Sequence, residues 1–310
     1  MEIDRPKRGG RRLWLLGLLL LPGVVLHQLG WFREMRPWQE ASGFTALPAD
    51  LQPSPYTPGP DEARIAWLGH AGFLIELAGV RLLTDPNLSE QTTISRRVML
   101  PPLRAQELGP IDAVLLSHSH YDHLDLPTLE QLAAVETLIL PDGSERFLSQ
   151  AVRLKSRVVG LQVGEEHRIG PVEIVAVPAV HNGHRFHPFS STLHALGYVI
   201  RTEHFSLFFA GDTGWGPHFT AIREQYRPDA VILPIGGYLP YFVLRHYHLS
   251  PEDAVRAAEE LGVRYVIPGH FGTFRVAFDL PESPLPIFAR VAANKGVVWH
   301  LPPMATKVTQ

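Results

Sequence analysis

The sequence predicts one mixed α/β (α+β) domain over residues 63–310, preceded by a membrane-directed segment and a proline-rich arm. Three observations carry this reading. Short apolar runs bounded by glycine and turn residues recur from Arg64 onward, as strands do. Helix-compatible stretches separate the later runs, and no internal repeat is visible. An unbroken apolar run at 13–26, LWLLGLLLLPGVVL, stands apart from the rest behind a basic cluster.

That basic cluster is Lys7, Arg8, Arg11 and Arg12. Extended to Trp31 and Phe32, the apolar run reaches the roughly 20 residues needed to span a bilayer. HQLGWF, which follows the run, contains no small-residue cleavage site. The reading is therefore an uncleaved N-terminal membrane helix within residues 1–36. The basic flank sets the N-terminus in the cytoplasm and the domain that follows on the extracytoplasmic side. A cleaved signal and a buried helix of the domain are the competing readings, and Arg33 and Arg36 weaken the orientation. Residues 37–62 hold six prolines and little periodicity, and read as a linker or an arm draped over the domain.

Within the domain, RIAWLG, GFLIEL and VRLLTD form a predicted meander. Further apolar runs lie at 113–116, 137–140, 157–161, 172–177, 197–201, 205–209, 230–233 and 264–267. The clearest helix is 251–261. Ser250 suits its N-cap, Pro251 its first turn, Asp253 a capping box and Gly262 its end. Weaker helical stretches are 127–134, 143–152 and 217–225.

Composition narrows the chemistry. The net charge of −3 gives no global nucleic-acid footprint. Cysteine is absent, so there is no disulfide, thiolate metal site or cysteine nucleophile. Any transition metal must be held by histidine and carboxylate, and the chain has 16 histidines.

Five potential ligands fall within HSHYDHLD at 118–125, directly after an apolar run. In an extended segment alternate residues face one side, so His118 and His120 can reach one metal together. Asp122 and His123 follow the turn and can reach a second metal, about 3.5–4 Å away in two-metal hydrolytic sites. The remaining ligands must come from other strand ends. His181 ends VEIVAVPAVH, Asp212 sits in SLFFAGDTGW, and His270 sits in RYVIPGHFGTF. Alone, each would read as an ordinary loop or turn residue; beside the dense cluster they become ligand candidates. His248, in YHLSPEDA, is either a helix-entry histidine or a catalytic one.

SHSHYDHLD, HAGFLIEL, FAGDTG and GHFGTF together resemble the metallo-β-lactamase superfamily. LLTDPNLSE and PIGGYLPYFVLRHYHLSPEDAV bring the resemblance closest to its N-acylphosphatidylethanolamine-hydrolysing phospholipase D group. The resemblance implies a four-layer αβ/βα sandwich with two zinc ions at one edge. It implies that His118, His120 and His181 hold the first ion, that Asp122, His123 and His270 hold the second, and that Asp212 bridges them. Histidine and carboxylate also suit iron or manganese. The chain departs from the family pattern in HNGHRFH, where His184 and His187 can compete as ligands.

The expected function is a membrane-associated zinc phosphodiesterase of the phospholipase D type, cleaving N-acylphosphatidylethanolamine-like phospholipids. Water between the two ions, its pKa lowered to near neutral, supplies the attacking hydroxide. Asp122 orients it, and His248 protonates the leaving group or binds phosphate. The apolar stretch GGYLPYFVLRHY, 236–247, either lines an acyl groove or is buried core. The expected partners are a phospholipid substrate and a membrane, with no nucleic acid; a homodimer is among the open oligomeric states. A lactonase or soluble-ester hydrolase is the alternative, and a non-catalytic, metal-stabilised envelope protein a remoter one.

Overall fold

The computed structural model describes residues 34–44, 47–93, 95–185 and 194–305. Two six-stranded sheets form its frame. The first contains, in spatial order, β1 (Arg64–Gly69), β2 (Gly72–Leu77), β3 (Val80–Thr84), β4 (Pro110–Leu115), β5 (Ala134–Pro141) and β6 (Arg157–Leu161). The first three are antiparallel, as the predicted meander requires, and β3 to β6 are parallel. The second sheet runs from β7 (Glu166–Ile169) through β8 (Val172–Asn182), β9 (His194–Arg201), β10 (Ser206–Phe209) and β11 (Ala230–Pro234) to β12 (Tyr265–Gly269). Here β7 to β10 are antiparallel and β10 to β12 parallel.

Strand alternation explains the layering. From the first sheet, Trp67, Phe73, Ile75, Leu82, Leu115 and Ile139 join the core shared with the second sheet. Their neighbours Leu68, Leu74, Leu83, Val114, Leu138 and Leu140 face the other way, onto Leu129 and Leu132 and onto Val152 of the helix Gln150–Lys155. Both faces are apolar because both are covered, as parallel sheets require. Beyond the second sheet, the helices Pro251–Leu261 and Pro284–Lys295 contribute Val255, Leu261, Leu285 and Phe288 to the central cluster. The mixed α/β sandwich expected of the resemblance is present.

The helix predicted at 251–261 spans Pro251–Leu261. Ser250 and Asp253 cap each other's backbone, and Gly262 ends it at φ 65°. Such a cap contributes about 1 kcal/mol. The stretch predicted at 127–134 forms Leu126–Gln131, cut short because β5 starts at Ala134. That at 143–152 divides into a 3-10 turn, Ser144–Phe147, and the helix Gln150–Lys155, because Ser149 caps the second piece. That at 217–225 forms His218–Tyr226. Several short elements escaped prediction, and so did one long helix and one edge strand of the second sheet. Pro284 and Pro286 disguise the start of Pro284–Lys295, although proline is tolerated in a first turn. The strand EHRI (β7) is a polar sheet edge without a buried residue to betray it.

The arm lies against the domain. Ala41 and Leu47 are buried, and Ser54–Pro55 pairs in parallel with His300–Leu301. The membrane reading needs correction. Among the described residues no helix is long and apolar enough to cross a membrane. The membrane helix preceding the domain, and the anchored, extracytoplasmic localisation drawn from it, are withdrawn on that finding. The run at 13–32 on which they rested lies outside the described residues.

Candidate metal centre

Six strand ends deliver polar side chains to one edge of the sandwich. β1 leads to His70, β3 to Asp85, β4 to the 118–123 loop, β10 to Asp212 and β12 to His270, while His181 lies at the end of β8. Backbone geometry aims several of them: His70, Asp85 and His270 adopt φ values of 55°, 33° and 56°. Non-glycine residues seldom accept this left-handed region, and surrounding hydrogen bonds must hold them in it. Thr273 Oγ1 accepts from His70 N at 2.7 Å, while His270 N donates to His70 O at 2.9 Å.

The predicted residues converge in two groups. His118 Nε2 lies 3.0 Å from His120 Nδ1, and His181 Nε2 lies 3.2 Å from the same atom. Donors bound tetrahedrally at about 2.0–2.1 Å from one ion sit about 3.3 Å apart, so this triplet matches one coordination sphere. The remote nitrogens of His181 and His118 are engaged. His181 Nδ1 donates to Tyr247 O at 2.8 Å, which leaves the Nε2 lone pair facing the group. His118 Nδ1 lies 2.9 Å from Ser117 Oγ, whose proton goes to Asp85 Oδ2 at 2.5 Å.

In the second group, His123 Nε2 and His270 Nε2 each lie 3.6 Å from Asp122 Oδ2 and 3.2 Å from Asp212 Oδ2. Asp85 Oδ2 accepts from His123 Nδ1 at 2.7 Å and orients that ring. Asp212 Oδ2 faces both groups, since His118 Nε2 and His181 Nε2 are each 4.0 Å away. His248 Nδ1 is 3.7 Å from the same oxygen.

Buried His123 Nε2, His270 Nε2, Asp212 Oδ1 and His248 Nδ1 have no hydrogen-bond partner. Orphaned buried polar atoms are costly, about 1–3 kcal/mol each. A cation at the second group would satisfy His123 Nε2 and His270 Nε2. The electrostatics agree. Burial, reinforced by neighbouring histidines, pushes His118 and His181 well below the ordinary imidazole range, so their lone pairs are available. Burial also opposes charge on His123 and His270, yet Asp212 and Asp122 outweigh it; His123 rises well above its usual value and His270 to about 9. Asp122 and Asp212 are held well below the carboxylate range, against burial, by His123 and His270. This end of the cluster demands positive charge, which a proton or a metal ion can supply.

His70 and Asp85 were not singled out from sequence. Both obey the rule that located the others, an apolar run and then a ligand-capable side chain: Leu68-Gly69-His70 and Leu83-Thr84-Asp85. His184 lines the nearby cavity, but its ring stands edge-on to Phe147 at 5.8 Å, and it enters none of the donor groups. His187 lies outside the described residues.

A cavity of about 360 Å³ opens onto the cluster. His120, Asp122, Asp212 and His248 form one side; Leu244, Val276 and Ala277 form an apolar side. Arg185 is the one Lys or Arg among the described lining residues. Its guanidinium stacks 4.0 Å over Tyr121 and donates to Leu124 O at 3.1 Å. Burial pushes His248 down to about 4, with Asp212 opposing and His270 assisting.

A family model described as the beta-lactamase superfamily domain matches residues 80–271. The chain belongs to the metallo-β-lactamase superfamily. A Mycobacterium tuberculosis protein is 34% identical over 75% of this chain and 65% of its own length. N-acyl-phosphatidylethanolamine-hydrolyzing phospholipase D 1 of Caenorhabditis elegans is 30% identical over 67% of this chain and 63% of its own length. The chain thus spans a little under two thirds of these two relatives. A metal-dependent hydrolase of Aeropyrum pernix is 31% identical over 71% of this chain and 87% of its own. In fold, the isothiocyanate hydrolase of Delia radicum gut bacteria superposes with TM-score 0.60 at 18% identity, covering 80% of this chain and 98% of its own.

Proposed function

We propose that this superfamily member is a metal-dependent hydrolase of the phospholipase D type, acting on N-acylphosphatidylethanolamine-like phospholipids. The observation that carries this is the make-up of the cavity: metal-capable donors, one arginine and an apolar wall lie within a single space. A phosphodiester bearing acyl chains presents the matching chemistry, and the C. elegans relative is named for such a substrate.

On this reading His118, His120 and His181 would hold one ion and Asp122, His123 and His270 the other, with Asp212 available to both groups. Two zinc ions, when bound, supply a water that ionises near neutral pH and Lewis-acid stabilisation of phosphoryl oxygens. The protein supplies the rest. Asp122, part-buried in the cavity wall, would orient the water. Arg185, pre-set on the Tyr121 face, binds the phosphate through its remaining donors. His248, uncharged above its pKa of about 4, acts as a neutral hydrogen-bond donor to a phosphoryl or leaving-group oxygen, not as an imidazolium acid.

The segment 236–247 is divided between the two readings its sequence allowed. Gly236, Gly237 and Tyr238 are buried, whereas Phe242 is 77% exposed and stands beside exposed Tyr241 and Val243. Phe278, 68% exposed, donates its backbone N–H to Leu239 O at 3.1 Å. These side chains form an apolar lip near Leu244 that suits acyl chains. Phe242→Ser should lower turnover of long-chain micellar substrate on the order of 10-fold. Short-chain soluble phosphodiesters should be cleaved as before; an equal loss on both substrates would sink the acyl role.

Arginine recognition gives a separate test. Arg185→Ala should raise KM for phosphodiesters by about 10–100-fold, from the roughly 1.5–3 kcal/mol of a charged hydrogen bond. A neutral lactone or aryl ester should be affected less than about twofold, because it offers no anion. The function itself is tested with zinc-loaded protein on N-acylphosphatidylethanolamine micelles, with His120→Ala as control. Release of phosphatidic acid, lost in the variant, supports the proposal. Lactone turnover with inert phospholipids moves the chain to the soluble-ester branch.

A further inference from the structure

We infer that His70 is a positioning residue: it donates a hydrogen bond to Asp122 and thereby sets the affinity of the second metal site, without itself ligating. This inference rests on the dinuclear reading above. His70 is fully enclosed, 1% exposed, and its Nε2 stands 3.0 Å from Asp122 Oδ2. That oxygen is the one facing His123 Nε2 and His270 Nε2.

Two roles compete for His70, and its hydrogen bonding separates them. His123 Nε2 and His270 Nε2 approach carboxylates yet make no hydrogen bond to them, as nitrogens aimed at a shared ion do. His70 Nε2 does make one. Its Nδ1 is buried without a partner. The unpartnered Nδ1 does not separate the roles, because His270 Nδ1 is also buried without a partner. The hydrogen bond from Nε2 does, since a ligating Nε2 would need its lone pair for the ion and could not donate to Asp122. With the proton on Nε2, one good bond goes to Asp122, and Nδ1 keeps its lone pair. The imidazole itself packs edge-on to Phe274, ring centroids 5.4 Å apart. The contrast with His181 is direct: there Nδ1 has a carbonyl acceptor and Nε2 is left for the ion.

The backbone makes the position rigid. His70 N donates to Thr273 Oγ1, and His70 O accepts from both Trp67 Nε1 and His270 N. The last bond ties the positioning residue to the ligand that follows β12, so hydrogen bonds link His70 to both Asp122 and His270. Partners of this kind change metal affinity by about 10–100-fold when removed.

The test compares His70→Asn with His70→Gln. Asparagine tolerates the left-handed backbone but does not reach Asp122; glutamine places an amide N–H near the Nε2 position. Zinc per chain is measured by mass spectrometry after dialysis against graded chelator, and folding by thermal unfolding. The expected result is two zinc ions in the wild type. His70→Asn should hold one tightly and a second about 10–100-fold more weakly, and His70→Gln should recover most of the second. Wild-type affinity at both sites in His70→Asn overturns the inference, as does failure of a folded His70→Gln to recover the second. If His70→Asn does not fold, the glutamine variant decides alone: binding two ions like the wild type keeps the inference, and a weakened second site overturns it. A wild type that binds no zinc would instead sink the dinuclear reading.

Discussion

Asp212→Asn should abolish the pairing of the two metal sites and cut kcat/KM by about 10²–10³-fold or more, from the roughly 3–5 kcal/mol lost when one partner of a buried ion pair is removed. Asparagine keeps the size of the side chain, so packing after β10 survives. What disappears is charge. Asp212 Oδ2 lies 3.2 Å from His123 Nε2 and His270 Nε2, 3.7 Å from His248 Nδ1, and 4.0 Å from His118 and His181 Nε2. An amide oxygen carries too little negative charge to bridge two divalent ions. Metal content should fall from two ions per chain to at most one, and turnover should fall with it. Two tightly bound ions with near-normal turnover in Asp212→Asn would remove Asp212 from the centre of the site.

Much of this arrangement is legible in the sequence because of how strand ends work. A buried strand must stop where a polar residue begins, so FFAGD, VIPGH and VLLSHSH each mark a boundary. The periodicity that shows the strand also shows its end, and with it the place where a side chain leaves the core held rigidly. Grouping His118 with His120, and Asp122 with His123, needed only the two-residue repeat of an extended chain. The roles of His70 and Asp85 were less visible. A single histidine after glycine and a single aspartate before proline are ordinary turn residues, and only the folded geometry brings His70 Nε2 to Asp122, 52 positions later. The polar edge strand Glu166–Ile169 was hidden for a different reason. Edge strands need no apolar face of their own, so hydrophobic period cannot reveal them. The membrane helix rested on composition alone, an apolar run behind a basic flank; no helix among the described residues is long and apolar enough to cross a membrane, and the run itself lies outside them.

The same geometry sets the largest expected effect on stability. Asp85 is fully buried and accepts from Ser117 N at 2.7 Å, Ser117 Oγ at 2.5 Å and His123 Nδ1 at 2.7 Å. Asp85→Ala would leave three buried donors without an acceptor. At about 1–3 kcal/mol each, discounted because Ser117 Oγ can rotate, the loss is roughly 3–6 kcal/mol. That is a large part of the 5–15 kcal/mol typical of a whole domain. Two consequences should separate. Metal-free Asp85→Ala should unfold at a much lower temperature than metal-free wild type, because the hydrogen bonds are lost whether or not an ion is present. Its second metal site should also weaken, since His123 loses the acceptor that fixes its Nδ1 proton and aims its Nε2. Excess zinc should therefore raise the variant's melting temperature, because binding to the folded state alone is stabilising. The zinc concentration needed should be higher than for the wild type. Asp85→Asn sharpens the point: its carbonyl can still accept from one or two donors, so stability should return in part while affinity stays low. Should Asp85→Ala lose stability without any change in zinc affinity, the carboxylate braces the β3–β4 edge and does not orient His123.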